Sequence, residues 1–311
     1  MRRHILPWFL SAVFALGVGV SVPAARQAGQ SPATAAADVP EYGPAHGTLM
    51  IIGGNMQDSS GVPQKFIQLA GGPDKNFVIV PTNDGNRDRD GKPIVYDEAT
   101  VIKPWLARGL KHVKMLHTWD PKVADTEAFV QPLLTADAVF FDGGRQWNGV
   151  DSYMNTRTLT EFRKVLDRGG VIGGSSAGAT IQGEYLVRGD TSGPNIVMTK
   201  EVNHQKGFAF LRRSAIDQHI NARNRWDDLI PVIKQMPNLL GIGLSEDTAI
   251  IVTGDRFEVF GRFKVAVHDN TRIYQPWEKP YFVLSQGDVF NMKTRKVEKY
   301  GIGAIPGRGG H

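Results

Sequence analysis

No cysteine occurs among the 311 residues. That excludes disulfides, thiolate metal sites and a thiol nucleophile, and any exported form must stand on its core alone. Long apolar runs are scarce as well. The longest covers residues 5–22, is interrupted by Pro7 and Ser11, follows Arg2 and Arg3, and leads into Val22-Pro23-Ala24-Ala25. A positive start, a short apolar core and small residues predict a signal peptide over residues 1–24. The protein would then be secreted or periplasmic, with no stable membrane insertion after processing. A large excess of one charge is missing too. Residues 1–24 hold two arginines and no acid, so without them the formal net charge is +3 rather than +5. That is too mild for a nucleic-acid partner, and no basic stripe is interleaved with aromatics.

What remains is ordinary for a globular protein, with 41% hydrophobic and 22% charged residues. Residues 25–45, rich in Ala, Ser and Pro, read as a flexible lead-in. One domain over residues 46–300 follows, then a glycine-rich tail over 301–311. Apolar runs that predict buried strands fall at 48–52, 77–80, 112–116, 138–141 and 171–172. Helical patterns lie between them at 63–70, 96–108, 123–134 and 158–168. This alternation predicts an α/β fold, a mostly parallel sheet with helices on both faces, whose site forms at the carboxyl ends of the strands. After about residue 185 the chain turns β-rich. Strands are expected at 214–219, 248–252, 257–260, 264–267 and 281–284, with a helix at 226–236. This half would extend the sheet or close over it.

Gly174-Ser175-Ser176-Ala177-Gly178 fits the G-x-S-x-G pattern between a predicted strand and a helix start at Ala177. A nucleophilic serine must project from a sharp turn, so its neighbours must be small, and here they are. Ser176 is the candidate nucleophile, with the Ala177 N–H as an oxyanion donor. The hydroxyl needs a base. Of eight histidines, His219 stands out in Asp217-Gln218-His219-Ile220-Asn221-Ala222-Arg223-Asn224-Arg225, a polar and cationic setting; His117, at another strand end, is the competitor. The acid that orients the imidazole is Glu246 as first choice and Asp190 as second. Asp142-Gly143-Gly144-Arg145-Gln146 also ends a predicted strand. It offers Gly144 N–H as a second oxyanion donor and Gln146 as a substrate holder.

With these motifs in place, the sequence resembles the cyanophycinase family of serine peptidases, which also holds the alpha-aspartyl dipeptidases. The resemblance runs from about residue 47 to 297. It rests on Ile51-Ile52-Gly53-Gly54, Gly143-Gly144-Arg145-Gln146, the Ser176 motif and Asp217-Gln218-His219 with Arg223 and Arg225. It continues through Gly241-Ile242-Gly243-Leu244-Ser245-Glu246-Asp247-Thr248-Ala249 to 284–290. It implies a class I glutamine amidotransferase-like fold with serine in place of cysteine. It also implies Ser176 as nucleophile, His219 as base and Glu246 as orienting acid, with Gln146, Gln218, Arg223 and Arg225 around the substrate. No metal or organic cofactor is implied. The implied substrate is a peptide or a cyanophycin-like polymer, a polyaspartate backbone with arginine side groups that is cut to beta-aspartyl-arginine. Arginines near the nucleophile suit an aspartate carboxylate. The chain departs from the family at Asp228, where a third arginine is usual; a carboxylate there is expected to repel a substrate carboxylate or to pair with Arg225.

Two rivals share parts of this pattern. An esterase of the α/β-hydrolase type runs serine, acid, histidine along the chain, which leaves only His268 as base. A non-catalytic exported binding protein would keep the pocket and lose turnover. A homodimer is compatible with the sequence, which does not set the oligomeric state.

Overall fold

Alternating side chains decide the layers. In β1 (Thr48–Ile52), Leu49 and Ile51 join one apolar cluster while Met50 and Ile52 join another. β2 (Asn76–Val80) divides in the same way, Val78 and Val80 from Phe77 and Ile79. In β4 (Ala138–Phe141), Val139 and Phe141 part from Ala138 and Phe140. A strand buried on both faces belongs inside a sheet that is covered on both sides. The computed structural model describes residues 39–301 together with Ala12. The expected signal peptide, most of the lead-in and the tail after residue 301 lie outside the described residues.

The remaining strands are β3 (His112–Met115), β5 (Val171–Ser175), β6 (Ser214–Gln218), β7 (Leu240–Leu244), β8 (Thr248–Thr253), β9 (Arg256–Gly261), β10 (Val265–His268), β11 (Phe282–Leu284), β12 (Val289–Asn291) and β13 (Lys296–Lys299). The large sheet runs β13-β12-β9-β8-β1-β5-β4-β2-β3. From β1 to β3 its neighbours are parallel; from β1 outward to β13 they are antiparallel. A small sheet runs β11-β10-β7-β6, with β6 and β7 parallel. The β-rich half extends the main sheet with four strands, as one of the two expectations had it, and its other four strands form a second sheet. The whole is the expected α/β, class I glutamine amidotransferase-like arrangement.

Helices Val62–Leu69 and Glu98–Ala107 cover one face of the large sheet through Phe66, Ile67 and Trp105. On the other face, Gln146–Tyr153 and Arg157–Asp167 contribute Val150, Tyr153, Phe162 and Val165. That cluster continues into Ile216, Ile242 and Leu244 of the small sheet, so one core joins the two sheets. The far side of the small sheet packs under helix Ile230–Gln235 through Val232 and Ile233.

Three expectations are corrected. Residues 123–134 are not one helix but two single turns, Pro121–Ala124 and Gln131–Leu134. Between them the Thr126 hydroxyl donates to the Val123 carbonyl at 2.8 Å, Asp125 Oδ1 accepts from Arg157 N at 2.7 Å, and Pro132 has no N–H to continue a helix. The helix expected at 226–236 begins only at Ile230, with Pro231 in its first turn. The domain also starts earlier than residue 46. Tyr42 is buried, Gly43 N donates to Gly254 O at 3.0 Å, and Arg212 donates to the carbonyls of Pro40, Glu41 and Gly43.

Among the described residues, no helix is long and apolar enough to cross a membrane, and no group of three or more His, Asp or Glu is placed to hold a metal ion. The core is tested at Phe162, which is fully buried and meets Phe141 and Tyr153 edge-on at ring distances of 4.9 and 5.8 Å. Phe162→Ala is expected to lower stability by about 3–5 kcal/mol, read from the midpoint of denaturant unfolding.

Candidate active site

β5 ends at Ser175, and the next residue turns sharply. Ser176 sits at φ 58°, ψ −116°, a conformation that L side chains avoid and that surroundings must enforce. Its N–H is tied to Ile52 O at 3.1 Å. The helical turn Ala177–Thr180 follows at once, packed so tightly that a Cβ on Gly178 would lie 2.0 Å from Phe141 O. The small residues of the motif are thus needed for the approach of this turn to β4. The geometry is that of a nucleophile elbow.

The small sheet delivers the partners. His219 follows β6 and Glu246 follows β7, two parallel neighbours, so both side chains emerge at the same strand ends. His219 Nε2 lies 2.8 Å from Ser176 Oγ, and its Nδ1 lies 2.6 Å from Glu246 Oε1. The imidazole is largely buried. Burial lowers its pKa below the usual 6.5, Arg223 and Arg225 push the same way, and Glu246 opposes them. At neutral pH the ring is therefore the free base, able to take a proton through Nε2 while Nδ1–H faces the carboxylate.

What holds this row together is the turn after β1. Gly53 O accepts from His219 N at 2.8 Å, Gly53 N donates to Thr248 O at 2.9 Å, and Gly54 O accepts from Asp247 N at 2.9 Å. Gly54 has φ +120°, and a Cβ there would lie 2.1 Å from His219 Cε1. Asn221 adds a further tie, its Oδ1 accepting from Glu246 N at 2.9 Å. In the sequence Gly53-Gly54 is a motif of the resemblance with no role attached and Asn221 is part of the polar setting of His219; the contacts that position them are long-range.

The other candidates separate clearly. Asp190 binds Ser192 N and Thr199 Oγ1 and does not meet His219. His117 is held by Thr82 Oγ1 at 3.0 Å and Ile94 O at 3.1 Å. His268, the base an esterase order would need, is buried at the end of β10 against Tyr281, and burial pushes its pKa down to about 4. Gly143 adjoins Ser176, since a Cβ on it would lie 3.3 Å from Ser176 Cβ. Among the described residues, the N–H groups of Gly144 and Ala177 donate to no protein acceptor. Asp142, at the foot of that glycine turn, is pushed up to about 7 by burial and then by the charge of Asp84.

A cavity of about 410 Å³ opens beside Ser176, lined among others by Gly144, Gln146, Arg188, Gln218, Arg223 and Arg225. Gln146 spends its amide donors on the carbonyls of Val187 and Arg188, so it positions the wall and offers only Oε1 to a ligand. Gln218 Oε1 is buried with no partner. Arg223 is exposed, while Arg225 is buried near Asp217. Asp228 does not pair with Arg225 as expected. It pairs with Arg188, a residue that no local motif singled out. Arg188 also bonds Asp217 through Nε and Nη2, both at 3.0 Å.

The model of peptidase family S51 matches residues 49–260, a span that holds Gly53, Ser176, His219 and Glu246. A cyanophycinase of Synechococcus elongatus is 28% identical over 271 residues, covering 81% of this chain and 81% of that protein. A cyanophycinase of Geminocystis herdmanii (strain PCC 6308) is 27% identical over 268 residues, covering 80% of this chain and 95% of the relative. The crystal structure of a peptidase from an acI-B1 Actinobacterium superposes with a TM-score of 0.59 at 21% identity, covering 79% of this chain and 97% of that one. That likeness is one of fold.

Two measurements test the site. Gly54→Ala is expected to slow fluorophosphonate labelling of Ser176 at least about 100-fold while the circular dichroism spectrum stays native, because the added methyl displaces the imidazole. In the parent protein the labelling rate should fall only as pH drops through a value below 6.5, where the buried His219 gains its proton. An acid limb centred above 6.5 would contradict the assigned environment.

Proposed function

This chain belongs to peptidase family S51 and is a serine-type peptidase; from that premise we propose that Ser176, His219 and Glu246 form its catalytic triad and that it cuts peptide or isopeptide bonds next to aspartyl residues. The carrying observation is the unbroken row from Ser176 Oγ through both imidazole nitrogens to Glu246 Oε1. Ser176 Oγ attacks the scissile carbonyl as His219 Nε2 takes its proton. Glu246 holds the Nδ1–H and stabilises the imidazolium. The N–H groups of Ala177 and Gly144 receive the oxyanion. His219 then protonates the leaving amine, the acyl-enzyme forms, and water releases it by the reverse path.

The arginine-lined cavity supports an acidic group beside the scissile bond, because a planar guanidinium matches a carboxylate. The relatives named cyanophycinases support an aspartyl polymer as the first substrate to test and beta-aspartyl-arginine as the product to look for. The run over residues 1–24 supports export with removal of that segment. N-terminal sequencing of the mature protein should begin shortly after Ala24; an intact Met1 would refute removal.

Ser176→Ala should abolish measurable hydrolysis in a screen of aspartyl and neutral dipeptides and the polymer. Glu246→Gln should lower kcat by about 10³–10⁴-fold with KM little changed, since it disturbs the tautomer rather than binding. Turnover that survives Ser176→Ala would end the proposal.

A further inference from the structure

The Ala177 N–H is held in place by the elbow, whose next turn bonds Ala179 N and Thr180 N to Ser176 O. The Gly144 N–H belongs to a separate turn, Asp142-Gly143-Gly144-Arg145, which follows β4. A glycine pair is conformationally loose, so this turn must be held from outside if its N–H is to meet a developing charge without moving. The strand on the other side of β4 supplies the hold. Val80 of β2 pairs with Phe141 of β4, and the short helical turn Pro81–Asn83 that follows β2 lies beside the glycine turn.

Asn83 makes the contact, and it is only 1% exposed. Its Nδ2 donates to Asp142 O at 3.0 Å, and its carbonyl accepts from Arg145 N at 2.6 Å. These bonds flank the glycine pair. Peptide groups are planar, so the first bond fixes the plane between residues 142 and 143, and the second fixes the plane between 144 and 145. The plane left between them carries the Gly144 N–H and is pinned at both ends. The approach is close: a Cβ on Gly144 would lie 2.2 Å from Asn83 O. Asn148 Nδ2 also donates to Asn83 O, at 3.2 Å. Behind it, Thr82 Oγ1 lies 2.6 Å from Tyr153 Oη and 3.0 Å from His117 Nδ1, which anchors the turn that carries Asn83.

Asparagine is not the side chain that stability alone would select here. Its Oδ1 is buried with no partner, and a Cβ on Gly149 would lie 2.5 Å from it. A buried acceptor without a donor is unfavourable, and an apolar side chain would avoid it. What asparagine brings to this place is an amide donor within reach of the Asp142 carbonyl.

Resting on the reading that Ser176, His219 and Glu246 act together with the Ala177 and Gly144 N–H groups, we propose that Asn83 is a positioning residue that clamps the glycine turn on both sides and so aims the Gly144 N–H at the oxyanion. Asn83 takes no part in the row from Ser176 to Glu246 and is not among the residues that line the cavity. Its effect is therefore felt as charge develops on the substrate oxygen rather than when substrate binds.

The test is saturation labelling of Ser176 by an alkyl fluorophosphonate, whose phosphoryl oxygen takes the oxyanion position. Asn83→Asp keeps the shape and removes the donor; Asn83→Ala removes both. Each should lower the maximal labelling rate at least about tenfold, while the half-saturating probe concentration stays within about twofold. The acid limb of the pH profile should stay at the parent's position, because the surroundings of His219 are untouched. If neither variant folds, Asn148→Ala decides: it removes one bond to Asn83 O from a half-buried side chain and should slow labelling about threefold. Parental labelling rates, or a loss that appears in the half-saturating concentration instead, would overturn the proposal. The two readings fail in different ways. A parent protein that is not labelled at Ser176 refutes the triad and the clamp with it. A parent whose labelling is lost with His219→Ala, beside Asn83 variants that match the parent, refutes the clamp and keeps the triad.

Discussion

The His219 ring occupies the place where a side chain on residue 54 would be. Everything else about the site follows from that contact. Because residue 54 has no side chain, the turn after β1 lies flat against the imidazole, and its two carbonyls hold His219 N and Asp247 N. His219 and the turn that carries Glu246 are thereby fixed to the same strand that neighbours β5, whose end leads into Ser176. Catalytic geometry tolerates errors of only a fraction of an ångström. Here it is set by main-chain hydrogen bonds rather than by long side chains, which is the stiffer choice.

The strand ends were legible because apolar runs that stop at glycine pairs leave a plain mark. Ser176 and His219 were legible for a related reason: small residues around a serine and polar residues around a histidine are unusual at the end of a buried strand. β7 was harder to see as a strand. Gly241 and Gly243 lower its β-propensity, yet they are required because Ile233, His268 and Ile220 crowd them. The broken helix over residues 123–134 was hidden because its apolar spacing is helical, while Thr126 and Pro132 act through individual bonds that a periodic pattern does not register.

The charge cluster marks where sequence reading stopped. Arg188, Asp217 and Asp228 stand 29 and 40 positions apart in their pairings. Nothing local to Arg188 announces that it reaches both. Reading Asp228 against Arg225, its near neighbour in sequence, was the natural inference and the incorrect one. β6 carries Asp217 inward, and the left-handed backbone at Arg188 swings that side chain back to meet it. In a low-dielectric wall such pairs contribute orientation more than net stability, since desolvation offsets much of their attraction.

Ser176 follows a strand of the large sheet, whereas His219 and Glu246 follow strands of the small one. Among the described residues the two sheets share a core but no hydrogen-bonded strand pair, so the row from Ser176 to Glu246 exists only when the sheets are docked. A chain with one sheet formed and the other still open would hold Ser176 apart from His219 and Glu246.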